Sequence, residues 1–351
     1  MINYTEARSE FNDLVSKNQG VQSAYEAGSV STPGLSDLDF ILILHDKWDV
    51  SDTQLYYATL NKMSPNLRAA IGPGNILLIP KSLESEMLMI DDFNLKSIST
   101  PKLNIKLNTY KDKYSEICRI LDWLPERVNT LGSFLSHRYY TLDENCKYFQ
   151  LHGLLKSLLL SIKKVSLIVE CERSRNIYYQ NNKRIIALRN TWFNLKEKER
   201  EEKIQDTTNA VFSDALEVLD IFCCFMVKKI DGSINFQPSI GCQTKKFRAF
   251  NLCQSAQWSL FSKHNFRYEF HNIVFLNYYL QSKLKNQISN KIKNSINYGD
   301  QIKENDINSF TKKFCQTIER RLNYVNANYE FLKKSELRTG LLKYGMYLED
   351  D

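Results

Sequence analysis

The first hundred residues show two hydrophobic periods, which together predict a small unit of helices and strands. Residues 4–18 carry apolar side chains at helical spacing, so they predict an amphipathic first helix. Residues 21–27 alternate between polar and apolar positions, as a half-buried strand does. Three further apolar runs predict strands, at residues 38–44, 75–79 and 87–90. A helix over about 53–63, capped by Ser51 or Asp52, separates two of them.

Beyond about residue 111 proline and glycine become scarce, and the helical period dominates the pattern. The predicted helices cover residues 112–123, 125–138, 144–170, 181–200, 202–229, 254–264, 270–289 and 304–335. A break at Asp231-Gly232-Ser233 predicts a loop over 231–252 and a sub-boundary there. The fold class is therefore α+β, with a small α/β domain over 1–110 followed by a large, mainly helical domain over 111–351.

The composition is that of a globular protein, and 351 residues are enough for two domains with cores of their own. Crossing a bilayer takes about 18 consecutive apolar residues, and lysines interrupt the nearest approach, residues 154–169. The start of the chain lacks the layout of a secretory signal, and the eight cysteines contain no Cys-x-x-Cys pair. We expect a soluble cytoplasmic protein without a disulfide framework or a zinc site.

Charge is distributed unevenly along the chain. Residues 1–110 contain 9 Lys and Arg against 13 Asp and Glu, a net charge of −4. Residues 245–351 contain 18 against 10, a net charge of +8. A basic region beside an acidic domain suits a polyanionic substrate. The alternative is that surface lysines only keep a large helical protein in solution.

Two acidic residues lie at the start of the second predicted strand. A Gly28-Ser29 pair ends the first strand, and after a turn-rich loop Asp37-Leu38-Asp39 leads into the next. Successive side chains of a strand point to opposite faces, so Asp37 and Asp39 share one face about 7 Å apart. Two neighbouring carboxylates repel each other, and a divalent cation between them relieves that repulsion.

This pattern resembles the nucleotidyltransferase superfamily typified by DNA polymerase beta, over about the first quarter of the chain. The resemblance implies a mixed-sheet core with an appended helical domain that closes the nucleotide cleft. It implies that Asp37 and Asp39 hold two Mg²⁺ ions, with Mn²⁺ as an alternative. It also implies that Gly28 lets the backbone approach a nucleoside triphosphate and that Ser29 donates to its phosphates. Ser36 fits the family's Ser-Asp-x-Asp form and belongs to the same nucleotide site.

The third carboxylate that active members carry is missing from the expected strand, residues 75–79. The nearest acids are Asp91, Asp92 and Glu86, of which Asp91 is the preferred catalytic candidate because it follows an apolar run directly. A surface turn is the alternative role for Asp91 and Asp92. Without a third acid, the domain would bind nucleotides but lack activity.

In the helical region, Lys156 lies on an apolar helix from which a lysine could reach the triphosphate. The alternative is that its ammonium extends to solvent along the helix surface.

The resemblance thus predicts an enzyme that transfers a nucleoside monophosphate to a hydroxyl or phosphate acceptor and releases pyrophosphate. A small molecule, sugar phosphate or protein is favoured over RNA as the acceptor, since no recognisable RNA-binding module follows the core. The alternatives are an enzyme that adds nucleotides to RNA, supported by the basic C-terminal region, and a non-catalytic member. The latter would sense nucleotides or belong to a toxin–antitoxin or defence pair.

Overall fold

The computed structural model describes most of the chain and divides it into two compact units. The described residues are 2–28, 30, 32–71, 76–89, 94–98, 112–137, 144–230, 232–239, 255–262, 267–269, 309–337, 342–343 and 346–347. The first unit comprises Met1–Ser115 and Ile318–Asp351, and the second comprises Glu116–Thr317. The first unit therefore includes C-terminal residues that the sequence pattern assigns to the helical domain.

A four-stranded mixed sheet forms the centre of the first unit. Its elements in chain order are α1 (Tyr4–Ser16), β1 (Val21–Ala27), β2 (Asp39–Leu44), α2 (Val50–Asn61), α3 (Pro65–Ile71), β3 (Ile76–Pro80), a 3₁₀ helix (Lys81–Met89) and β4 (Lys96–Ser97). The strand order is β3-β2-β1-β4. β2 is parallel to β3, and β1 is antiparallel to both β2 and β4. The coarse α+β class is confirmed.

Alternating side chains of β2 supply the two cores of this unit. Phe40 belongs to the first core and stacks on Phe11 of α1, with ring centroids 3.8 Å apart. Ile41 and Ile43 point to the opposite face and belong to the second core. Arg8 of α1 also forms a two-pronged ion pair with the buried Glu26 of β1, at 2.7 Å from Nε to Oε2 and 2.8 Å from Nη2 to Oε1. α1 is thus held on the sheet by both apolar and charged contacts.

A helix from the end of the chain completes both cores. This helix, α8 (Ser309–Lys334), contributes Leu332 to the first core and Tyr324 to the second. The Asn328 side-chain amide donates to the Leu78 carbonyl of β3 at 3.3 Å. The Thr53 hydroxyl donates to the Ser335 carbonyl at 2.5 Å.

The second unit is mainly helical. Its elements are most of α4 (Lys113–His137), α5 (Glu144–Val169), α6 (Glu172–Thr191), a short 3₁₀ helix (Trp192–Asn194), α7 (Glu197–Ile230), β5 (Gly232–Ser239), β6 (Ser255–Ser262), β7 (Arg267–Glu269) and the start of α8. α5, α6 and α7 pack against one another, and β5, β6 and β7 form an antiparallel sheet. Two further short strands, β8 (Leu342–Lys343) and β9 (Met346–Tyr347), belong to the first unit. None of the described helices is long and apolar enough to cross a membrane.

The strand predicted at 87–90 is wrong over its described part, because residues up to Met89 form the 3₁₀ helix. A 3₁₀ helix has three residues per turn, so positions i and i+3 lie on one side. Glu84 and Met87 have this spacing and are both buried. The apolar run therefore packs on the sheet without pairing with it.

The predictions for 231–264 are also wrong where the structure describes them. The predicted loop at 231–252 contains β5, and the predicted helix at 254–264 is β6. Apolar residues recur with period two in β5 and over 256–260 of β6, and the pairing aligns Ile234 with Leu260 and Phe236 with Trp258. The helix predicted at 270–289 lies outside the described residues.

Several helix boundaries differ from the predicted ones. Asp49 caps α2, since it forms a reciprocal capping box with Asp52 and the helix begins at Val50. The two helices predicted at 112–123 and 125–138 are the single helix α4, because its buried apolar stripe continues without interruption. That stripe comprises Ile117, Ile120, Leu121, Leu124, Val128 and Leu131. The helix predicted at 181–200 is replaced by α6 and the start of α7.

Candidate functional site

The turn after β1 brings a glycine beside a carboxylate of β2. Ala27, the last residue of β1, pairs with Asp39, the first residue of β2. Gly28 follows with φ +76° and donates its N–H to the Asn94 carbonyl at 3.1 Å. A Cβ built on Gly28 would lie 3.6 Å from Asp39 Oδ2. The backbone of Gly28 and the carboxylate of Asp39 are therefore direct neighbours.

The two aspartates alternate with buried apolar residues. Leu38 and Phe40 are each 1% exposed, whereas Asp37 and Asp39 are half-buried. The Leu38 N–H donates to the Ala70 carbonyl at 2.8 Å and so ties the segment between the carboxylates to the end of α3. The burial of Leu38 and Phe40 on either side of Asp39 leaves both aspartates partly exposed.

The loop that leads to the aspartates is closed by its own hydrogen bonds. The Thr32 N–H donates to Ser36 Oγ at 3.3 Å, and the Leu35 N–H donates to the Thr32 carbonyl at 3.0 Å. Ser36 is buried, so its hydroxyl supports the loop from the inside. Its predicted contact with nucleotide stays a prediction.

Both aspartates can serve as ligands for a hard cation. Mg²⁺ prefers oxygen ligands, and it usually binds through one or two carboxylates, several waters and substrate phosphates. Two half-buried carboxylates next to an exposed glycine backbone fit this requirement. Among the described residues, no group of three or more His, Cys, Asp or Glu could hold a metal ion. In the described part of the chain, no His, Cys, Asp or Glu side chain therefore joins Asp37 and Asp39 as a third metal ligand.

The strands beside Asp39 contribute no acid to its face in the described part of the sheet. β3 places Leu77 and Ile79 in register with Ile41 and Ile43 of that face. On the other side of β2, β1 pairs Ala27 with Asp39 and Tyr25 with Ile41. The third acid, if the chain has one, does not come from these strand positions.

One buried acid was not predicted from the sequence. Glu84 of the 3₁₀ helix accepts hydrogen bonds from the Ser23 hydroxyl at 3.1 Å and the Tyr25 hydroxyl at 2.8 Å, and it pairs with Lys81. Burial, with the Glu84 carboxylate as the second cause, raises the pKa of Tyr25 above its usual range. Glu84 is itself buried, and its partners Ser23 and Tyr25 are buried residues of β1, which gives Glu84 a structural role. The only sequence signal for it is the Lys-x-x-Glu spacing.

The other predicted residues remain untested. Ser29, Asp91 and Asp92 lie outside the described residues. Glu86 is half-buried in the 3₁₀ helix, and Lys156 is half-buried in α5 of the second unit.

The chain was compared with protein-family models, with curated proteins and with solved structures, and nothing matches it in any of the three comparisons. A functional assignment therefore rests on the geometry of the site itself.

Proposed function

We propose that this protein is a Mg²⁺-dependent nucleotidyltransferase that moves a nucleoside monophosphate from a nucleoside triphosphate to an acceptor. The observation that carries the proposal is the position of Gly28 beside Asp39, where a Cβ built on the glycine would lie 3.6 Å from Asp39 Oδ2. A glycine with positive φ ends one strand directly beside a carboxylate that begins the next, with a second half-buried carboxylate two residues earlier. At this point the backbone of Gly28 would contact the triphosphate, and the neighbouring carboxylates would bind the metal ion.

Each residue has a distinct task in the proposed reaction. Asp37 and Asp39 would hold Mg²⁺, which when bound supplies charge neutralisation for the triphosphate and polarises the acceptor oxygen. Gly28 leaves room for the triphosphate, because it has no Cβ between the backbone and the ligand. An acceptor oxygen bonds to the α-phosphorus while the bond from that phosphorus to pyrophosphate breaks. The acceptor gives up its proton to a base, for which Asp91 is the sequence-based candidate.

The acceptor proposed here is a small molecule, a sugar phosphate or a protein side chain. The first 110 residues carry a net charge of −4, which disfavours a long polyanion close to the aspartates. An RNA end is the alternative, supported by the net charge of +8 over residues 245–351.

A non-catalytic nucleotide-binding protein is the second candidate function. It is favoured by the apolar residues Leu77 and Ile79, which occupy the described β3 positions on the face that Asp39 shares. Such a protein would bind nucleotide with Mg²⁺ and release no pyrophosphate.

The test is a pyrophosphate-release assay with each of the four ribonucleoside triphosphates and Mg²⁺. Candidate small-molecule, protein and RNA acceptors are supplied, and the Asp37→Asn/Asp39→Asn variant is run in parallel. Glu6→Gln/Asp13→Asn is a matched control, since it removes the same charge from exposed positions of α1. We expect release by the wild type and the control, and none by the aspartate variant.

Calorimetric titration with ATP and Mg²⁺ then separates the two candidates. Mg²⁺-dependent ATP binding that is lost in the aspartate variant, without pyrophosphate release, would favour the non-catalytic protein. Absence of both binding and release in the wild type would contradict both functions.

A further inference from the structure

The phenol group of Tyr4 bridges α1 to the loop that carries the aspartates. Its hydroxyl donates to the Ser36 carbonyl at 2.5 Å and accepts the Gly34 N–H at 3.0 Å. Tyr4 is buried in the first core, where Leu38 belongs to the same cluster. One side chain thus satisfies two backbone groups of the loop, and one of them, the Ser36 carbonyl, immediately precedes Asp37.

We propose that Tyr4 is a positioning residue that holds the loop over 32–36 so that Asp37 and Asp39 are arranged for a divalent cation. This inference rests on the proposed function, because it assigns the aspartates as metal ligands. Tyr4 itself would contact neither the metal nor the nucleotide, and it would act only through the backbone of the loop.

The support for Tyr4 comes from the sheet that also carries Asp39. α1 is fastened to this sheet by the stacking of Phe11 on Phe40 and by the ion pair between Arg8 and Glu26. A continuous set of contacts therefore runs from β1 and β2 through α1 to the Tyr4 hydroxyl and the loop. The loop residue Gly34 has φ +84°, a left-handed conformation that glycine adopts without strain.

Without the Tyr4 hydroxyl, the loop would be less ordered before a metal ion binds. If the loop moves freely, metal binding must also order the loop. The conformational entropy lost in this ordering lowers the affinity for the metal. Groups that orient metal ligands typically change metal affinity by about 10-fold to 100-fold when they are removed. The site would be weakened without any change in its ligands.

The test is a titration with Mn²⁺ followed by electron paramagnetic resonance, on the wild type, Tyr4→Phe and Tyr56→Phe. Tyr4→Phe keeps the ring in the core and removes the hydroxyl that bonds to the loop. Tyr56→Phe is the matched control, because Tyr56 lies in the same core and packs against Trp48 and Tyr57. We expect Mn²⁺ affinity to fall about tenfold in Tyr4→Phe and to stay unchanged in Tyr56→Phe.

Hydrogen exchange of the peptide over 30–38, measured without metal, gives a readout independent of the ligand. It should be faster in Tyr4→Phe than in the wild type and the control. Equal Mn²⁺ affinity in all three proteins would overturn the proposal. If Tyr4→Phe fails to fold, the wild type alone decides, and rapid exchange of this peptide in the wild type would overturn the proposal. Wild-type protein that binds no Mn²⁺ would also overturn it. Mn²⁺ binding without pyrophosphate release would contradict only the nucleotidyltransferase activity.

Discussion

At the residue scale, Gly28 combines a backbone requirement with a close neighbour. Its φ of +76° lies in the left-handed region, where residues with a Cβ are strained. The space around Gly28 would accommodate a Cβ, since the Cβ would lie at an ordinary contact distance of 3.6 Å from Asp39 Oδ2. The glycine is therefore required mainly by the conformation of the turn.

We expect Gly28→Ala to lower the free energy of unfolding by about 1 kcal/mol, the cost of a left-handed conformation for an L-residue. Urea unfolding followed by circular dichroism measures this change. Gly153→Ala is the matched control, because Gly153 lies in α5 and a Cβ there would meet nothing within 4 Å. That substitution should raise the free energy of unfolding by roughly 0.5–1 kcal/mol. A Gly28→Ala protein as stable as the wild type would contradict the argument.

At the element scale, the contact between α5 and α6 contains a histidine without charge. His152 of α5 is buried, and neither ring nitrogen has a hydrogen-bond partner among the described residues. Its ring packs edge-on against Trp192 at 4.4 Å between centroids, and its carbonyl accepts from Arg189 Nη1 at 3.1 Å. Burial, together with the charge of Arg189, lowers the pKa of His152 to about 3.

This pKa makes the stability of the second unit dependent on pH. Between pH 6.5 and about 3, the unfolded state binds a proton at His152 that the folded state does not. Stability from this group is therefore complete above pH 6.5 and decreases as the pH falls, by at most about 1.4 kcal/mol per pH unit. We expect His152→Phe to flatten the pH dependence of the free energy of unfolding in this window.

Urea titrations at several pH values between 4 and 7 measure the difference between wild type and variant. His45→Asn is the control, because it removes a histidine from an exposed position. Parallel slopes for the wild type and His152→Phe would show that the buried ring does not resist protonation.

At the scale of the whole molecule, the N-terminal sheet depends on the C-terminal end of the chain. Residues 318–337 add Leu332 and Leu337 to one core of the first unit and Tyr324 to the other. The Asn328 amide also satisfies a carbonyl of β3, which is the end strand of the described sheet. A fragment that ends near residue 110 would therefore lack part of its own hydrophobic core.

We expect Leu332→Ala to destabilise the first unit by about 3 kcal/mol, the sum of lost burial and the cavity left behind. Leu332 is 2% exposed, whereas Leu167 of α5 is 64% exposed and provides the control. Leu167→Ala should change the free energy of unfolding by less than about 0.5 kcal/mol. Thermal and urea unfolding measure both variants, and equal effects would argue against a structural role for the C-terminal helix.

Sequence patterns predicted the elements of the first unit well where a single period dominates. The first helix, the strands at 21–27 and 38–44, and the last helix all appear with bounds shifted by five residues at most. Prediction failed at the 3₁₀ helix, where a short apolar run suits several structures equally. It failed again at β6, where the apolar residues over 256–260 recur with period two and form a strand in place of the predicted helix.

The candidate site was predictable only in its local part. The half-buried state of Asp37 and Asp39 follows from their alternation with Leu38 and Phe40, which is a property of neighbouring residues. The supporting roles of Tyr4 and Glu84 were not predictable, because each depends on partners that lie 30 or more residues away in the sequence.

The sequence by itself determined the elements in which a single hydrophobic period dominates and the alternation that leaves two aspartates half-buried. These features depend on residues two to four positions apart, whose geometry the backbone dictates. The tertiary structure alone decided that Gly28 lies beside Asp39, that the Tyr4 hydroxyl bonds to the loop and that the C-terminal helix completes the cores. Such contacts, including one between Thr53 and Ser335 across 282 positions, depend on which buried surfaces pack together.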